Sequence, residues 1–395
     1  MTAETRTPEA SYADHFTLRG GPGHRLLGAR GLLQGGGLVL LCVVVVTLAA
    51  VPLLVLAYAQ GVAVGRRVQL PLLRDLTVYA VLFGAPWILV VGEIVNRRIR
   101  YAVRYFEVAS LVPERRRQEF DEAVTRTASL ADAWPSDVLL LVLSIALGWL
   151  DLRAAHAIPG HSSWRWIGSP AALSWAGRWF WLVTLPLYQF LLLRWLWRLV
   201  LWTLWLRRVS KLELDLLATH PDRAGGLGFL SDAQAAFNLM LIPVAVVFSS
   251  RAAFWIQYGG GSPDQLKYVI GAFIILAIVV VQGPLFVFTP LLVLARRRGI
   301  LQYGALADAY VHDFHGKWVM GRKAPEEPLL GAADIQSLAD MGNSLQVVRG
   351  MQVAPIGVPE LVATALAAIV PMLPLLSTVI PVEDILKKVL ELVAR

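Results

Sequence analysis

Four charged side chains stand where charge is costly. Arg194 and Arg198 lie one helical turn apart inside a long apolar block, so they share a helix face. Arg251 and Glu93 lie in two other apolar blocks. A charge at the centre of a hydrocarbon layer costs about 2.5–3.5 kcal/mol on insertion scales, so each must face protein or water. Two chemistries follow. A polar pathway with an excess of guanidinium groups would favour anions. Alternatively, Arg198 reaches back to headgroups, while Arg194 or Arg251 pairs with Glu93 or caps carbonyls. Arg194 is the deepest of the set.

Helix breaks form the second candidate. Pro52, Pro86, Pro186, Pro243, Pro284, Pro290, Pro371 and Pro374 all fall inside apolar blocks. Gly283-Pro284, following Gln282, bisects one of them. An interrupted membrane helix frees backbone groups that can hold a solute, although many such prolines only kink the helix. Gln282, Gly283 and Pro284 are therefore pathway or binding candidates together with the charged four.

A third set is His/Asp chemistry. His220 and Asp222 open the glycine-rich stretch HPDRAGGLG, and His312, Asp313 and His315 sit in AYVHDFHGKW. On a helix, His312 and His315 would share a face, as a metal-binding pair can. Catalytic zinc motifs have stricter spacing and a nearby glutamate base, and neither is evident, so the sequence leaves a metal open and calls for no cofactor. Gly225, Gly226 and Gly228 lack the lysine of a phosphate loop. They read as a chain reversal, with Ser231 or Asp232 capping the next helix.

The elements that must position these residues are membrane helices. The chain has 395 residues, 56% hydrophobic and 16% charged, with mean hydropathy +0.59. Soluble domains carry about 25% charged residues, and runs of roughly 18 or more apolar residues mark spanning helices. Seven blocks stand out, at about 38–58, 76–95, 137–152, 178–206, 236–257, 268–295 and 360–380. The expected fold is all-α: a polytopic membrane protein of six to seven spans with helical cytoplasmic extensions. The first block is too long for a signal peptide and reads as an uncleaved anchor. The seventh, with Pro371, Pro374 and Pro381, is either a crossing or a re-entrant pair.

Lysine and arginine are unevenly distributed. Segments 1–37, 96–136, 207–235 and 296–353 fall on one side and hold 23 of them, against 9 on the other. That asymmetry places the N-terminus in the cytoplasm. Residues 1–37 are expected to be flexible, 38–381 to form one helical membrane domain, and 382–395 to form an amphipathic helix for a membrane surface or a partner subunit. Trp202 and Trp205 are expected at one membrane interface. The formal charge of +8 suits anionic headgroups better than nucleic acid. Cys42, the only cysteine, excludes an intrachain disulfide and a cysteine-based metal or redox motif. Abundant Arg, Ala, Leu and Gly fit a GC-rich bacterial genome.

Three stretches together carry a resemblance: THPDRAGGLGFL at 219–230, LLGAADIQSLADMGNSLQVVRGMQVAPI at 329–356 and PMLPLLSTVIPVEDILKKVL at 371–390. They resemble a group of bacterial multi-pass inner-membrane proteins with no assigned activity. The resemblance implies a bacterial inner-membrane location and carries over no catalytic or binding residues. The leading functional expectation is a transporter or channel-like protein for a small, potentially anionic solute. The alternatives are a membrane-anchored assembly or sensing protein, with a homo-oligomer or membrane partner, and a membrane-embedded metal-dependent enzyme.

Overall fold

A computed structural model describes residues 35–378 except 66, 155–161, 169–171, 323–327 and 329–330. Of the first 34 residues it describes Phe16, Leu18, Gly20, Gly21, Arg25, Gly28 and Gly31. The expected amphipathic helix at 382–395 lies outside the described residues. The fold is all-α, with seven helices long and apolar enough to cross a membrane. One two-stranded hairpin accompanies them, β1 (Trp166–Ile167) with β2 (Ala172–Leu173).

The first span, α1 (Gly35–Ala59), is apolar all round and touches the rest through Leu41, Ala49, Leu53 and Ala57. The second, α2 (Leu76–Val108), is 33 residues long. At 1.5 Å per residue that is about 50 Å, well beyond a hydrocarbon core of about 30 Å. Its far end stays amphipathic and buries Val95, Ile99, Ala102, Val103 and Phe106. A turn with Ser110 at φ 51° leads into the mixed-charge helix α3 (Arg117–Ala131).

The third span, α4 (Trp134–Ala154), buries the one-turn stripe Leu140, Ser144, Gly148 and turns its remaining sides outward. The fourth starts as α5 (Trp175–Trp179), passes a π turn at Phe180–Thr184 and continues as α6 (Leu185–Val209). The fifth joins α7 (Phe229–Ala235) to α8 (Asn238–Tyr258). The sixth joins α9 (Pro263–Gln282) through a 3-10 segment, Gly283–Phe288, to α10 (Thr289–Phe314) and a π turn, His315–Val319. Helix α11 (Ala333–Arg349) packs back along α10.

The seventh segment is α12 (Val358–Ile369) followed by a 3-10 stretch, Val370–Thr378. It runs in one direction and does not turn back within the described residues. At its start Glu360 and Thr364 touch Gln282. At its end Val370, Pro371, Pro374 and Leu375 share a cavity with Leu76 and Tyr79 of the first turn of α2 and with Gln257 of the last turn of α8. The segment therefore reaches the end opposite the lysine- and arginine-rich segments.

The packing at the basic end is aromatic. Trp205 stacks on Trp202 at 5.0 Å and meets Phe106 edge-on at 5.6 Å and Phe120 at 5.9 Å. Both tryptophans are 0% exposed, so they belong to the core and not to the expected interfacial belt. The reason is helical phase: Trp205 faces Phe106 of α2 and Phe120 of α3, and Trp202 faces Gln234 of α7. Phe16 joins the cluster 5.5 Å from Trp205, and Leu18, Gly20 and Gly21 are buried as well. These described residues of the N-terminal stretch are packed because α6 offers them an apolar groove, which charge and composition did not reveal.

Gly84 marks where α2, α6 and α8 converge: a side-chain carbon there would collide with the Tyr188 ring and lie 3.4 Å from Pro243 Cβ. Gly84→Ala should cost about 1–3 kcal/mol through overpacking, read as a lower Tm in detergent. Gly271→Ala, at a position with open space around it, should leave Tm unchanged or slightly raised.

Candidate functional site

The break in the sixth span is braced by a neighbouring span. Pro284 has no N–H for the Val280 carbonyl one turn earlier and its ring disturbs that turn; the next carbonyl along is the one a neighbour serves. The Val281 carbonyl accepts a hydrogen bond from Gln234 Nε2 of α7, and Gln234 Oε1 accepts one from Trp202 Nε1 at 2.8 Å. Next to it Gln282, 1% exposed, donates to Thr364 Oγ1 at 2.7 Å. Thr364 in turn lies 2.9 Å from Asn238 Oδ1 and from the Glu360 carbonyl. One polar set thus links the fourth, fifth, sixth and seventh spans. Gln282, Gly283 and Pro284 were legible in the sequence. Gln234, Asn238, Trp202 and Thr364 were missed, the only signal being the (i, i+4) pair Gln234/Asn238 at the start of an apolar block.

Arg194 and Arg251 go elsewhere, and each finds an aspartate. Arg194 is ion-paired with Asp137 of α4 and donates to the Gly20 carbonyl. Arg251 is paired with Asp151 at 2.6 Å, and Trp181 donates to the same carboxylate. Beside this pair, at the opposite end, Arg165 binds Asp75 at 2.6 Å and sits over Trp164, Phe180, Trp181 and Phe254. Asp137 and Asp151 bracket the third block, and this was the sequence signal for their pairing with arginine. Glu93 and Arg198 are half-buried on α2 and α6, which pack together. Neither Arg194 nor Arg251 lines the break. A cavity of about 630 Å³ between α2, α8 and residues 370–375 has an uncharged wall that includes Tyr79, Ser249, Ser250 and Gln257.

His220 and Asp222 form a structural loop. Asp222 accepts backbone N–H bonds from Ala224 at 2.8 Å, Gly226 at 3.2 Å and Gly228 at 2.8 Å, and His220 Nδ1 lies 2.8 Å away. The chain can fold round the carboxylate because Arg223, Gly225 and Gly226 take φ of 55°, 66° and 97°. Burial opposes ionisation of Asp222, but these N–H groups and His220 outweigh it, and the carboxyl is held below the usual range. The loop carries the 219–230 motif onto the 329–356 motif: Gln352 N donates to the Arg223 carbonyl at 2.7 Å, and Ser231 Oγ donates to the Pro355 carbonyl at 2.5 Å. Ser231 is thus a tether, and the N-cap of α7 is Gly228.

His312, Asp313 and His315 are exposed at the far end of the sixth span. Thr219 contacts Tyr303, which places His312 about 13 Å further along the helix from that contact. Among the described residues no three His, Cys, Asp or Glu side chains could hold one metal ion.

Fold and site together define a polytopic α-helical membrane protein whose membrane-embedded polar groups are tied across spans. Comparison with protein-family models, curated proteins and solved structures found no match to the chain. The likeness carried by the three motifs therefore brings no residue role with it.

Two outcomes are expected. Asp137→Asn should lower stability by about 3 kcal/mol by stranding Arg194, while the double change Asp137→Leu with Arg194→Leu should recover most of the loss, both read by thermal unfolding in detergent. Asp222→Ala should cost about 1–3 kcal/mol. Because the folded carboxyl titrates lower than the unfolded one, this contribution is whole above about pH 4 and fades as pH falls through the folded value. The Tm gap between wild type and Asp222→Ala should narrow on acidification.

Proposed function

We propose that the chain is a membrane-anchored assembly or sensing protein that engages a protein partner, another copy included, through the arm made by α10 and α11. The observation that carries this reading is that the arm has no core of its own. From Gly299 to Val319 the sixth span runs on for about 30 Å beyond its arginine triplet, with α11 laid along it. Among the described residues of that hairpin only Gly299, Ala307 and Val348 are buried. Leu301, 74% exposed, stands out with Leu306, Val311 and Ile335. The hairpin is braced at its tip by Asp334, which meets Lys317 at 2.7 Å and Trp318 at 3.0 Å. Aliphatic surface on a two-helix projection gains free energy by docking.

The paired arginines support the same reading, since they act as struts and no longer favour an anion pathway. The lysine and arginine asymmetry supports a bacterial inner membrane with the N-terminus and the arm in the cytoplasm. A second reading, a transporter or channel-like protein for a small solute, is favoured by the broken sixth span and the uncharged cavity. Its solute would be neutral or amphipathic.

A photoreactive residue at Leu301 should crosslink to protein in intact membranes, while one at the outward-facing Leu143 should not. Leu301→Glu with Leu306→Glu should abolish co-purification of the crosslinked species at unchanged Tm. Purified protein in liposomes should show no flux across a broad ion and solute panel. Flux without arm crosslinking would overturn the assembly reading in favour of the second.

A further inference from the structure

The polar set at the break ends in two oxygens that no donor serves. Gln282 spends its amide N–H groups on Thr364 Oγ1 and on the Glu360 carbonyl, at 2.7 and 3.4 Å, and its Oε1 is enclosed with no hydrogen-bond partner. Glu360 lies one turn before Thr364 on the same face of α12. Its Oε2 is equally enclosed and unserved, folded back against Gly357. A buried acceptor left unmade is costly, more so when it carries charge, and native structures rarely leave one unexplained. Here two occur on residues that touch each other, beside a helix break.

We propose that this junction of α8, the sixth-span break and α12 binds a monovalent alkali cation, Na⁺ or K⁺. The candidate donors are the Gln282 amide oxygen, the Glu360 carboxylate and carbonyl, Thr364 Oγ1 and Asn238 Oδ1. They are all oxygen, which selects a hard cation over the transition metals that prefer nitrogen or sulfur. They bring one negative charge, which balances one positive charge, whereas protein sites for Ca²⁺ draw on more carboxylates. Pro284, with no N–H, leaves a carbonyl of the preceding turn short of its helical donor, and backbone carbonyls at interrupted membrane helices are suited to such ions. A cation here would cross-link the fifth, sixth and seventh spans, so its binding appears as stability. The site is independent of the arm and of any partner.

The test uses the full chain purified in detergent. Tm is measured in NaCl, KCl and choline chloride at equal ionic strength, and again across pH. The expected result is a saturable rise in Tm with Na⁺ or K⁺ over choline. Glu360→Gln, close in shape to the native residue, should raise the half-saturating concentration about tenfold or more, the scale of losing one charged contact. Gln282→Leu should do the same, and Thr364→Val serves if either variant fails to fold. Equal melting of wild type in all three salts would overturn the site. So would a cation effect that persists undiminished in the variants, or a dependence on pH alone, which would assign Glu360 a proton instead.

Discussion

Hydrocarbon offers a polar group no partner except the protein itself, so each one buried in a span must be answered from another span. That constraint organises this molecule. Arg194 is answered by Asp137, Arg251 by Asp151, and the carbonyl beside the proline break by Gln234. Each answer joins two different spans, and together they cross-brace the bundle. Association of the helices then does not depend on apolar burial, which lipid supplies equally well to separated helices.

The bracing has a consequence for function. A guanidinium held by a carboxylate contributes little net field to a passing anion, and the charges that first suggest a pathway act as struts. Two places that keep chemistry to offer are the uncharged wall of the cavity between α2, α8 and residues 370–375, and the unserved acceptor oxygens of Gln282 and Glu360. At the basic end the logic is reversed. Water can serve the polar groups there, and packing is governed by aromatic burial around Trp205 and by the Asp222 loop, which ties the chain after the fourth span to the strand of backbone entering the seventh. The arm of α10 and α11 has little core beneath it: among its described residues from Gly299 on, only Gly299, Ala307 and Val348 are buried.

Much of the architecture was readable because hydrophobic length is a local property. Each block from Leu38 to Ile380 declares a span without reference to any other, and most observed helices match them to within a few residues, while the second and sixth run on past the expected ends to Val108 and Val319. The break at Gly283-Pro284 was readable for the same reason, since proline acts on its own turn. The aromatic belt was misjudged at Trp202 and Trp205 because interface and core demand the same residue type, and only helical phase against a neighbour separates them. Phe16 and Leu18 gave no warning, because a short apolar pair in a polar stretch becomes structural only when a groove exists to receive it.

The sequence alone therefore determined that the chain is all-α, that it has seven membrane-length segments, and which residues would be costly to leave alone in lipid. It could not say how each cost is met, because a hydrogen bond or ion pair between spans depends on which helices are neighbours and which faces they turn to each other. The tertiary structure decided that Arg194 and Arg251 are paired instead of lining a route. It brought the end of the seventh segment beside the first turn of α2 and the last turn of α8, and it gathered Gln282, Thr364, Asn238 and Glu360 at one junction. Those outcomes are set by contacts between residues tens to more than a hundred positions apart, a distance over which composition and periodicity carry no information.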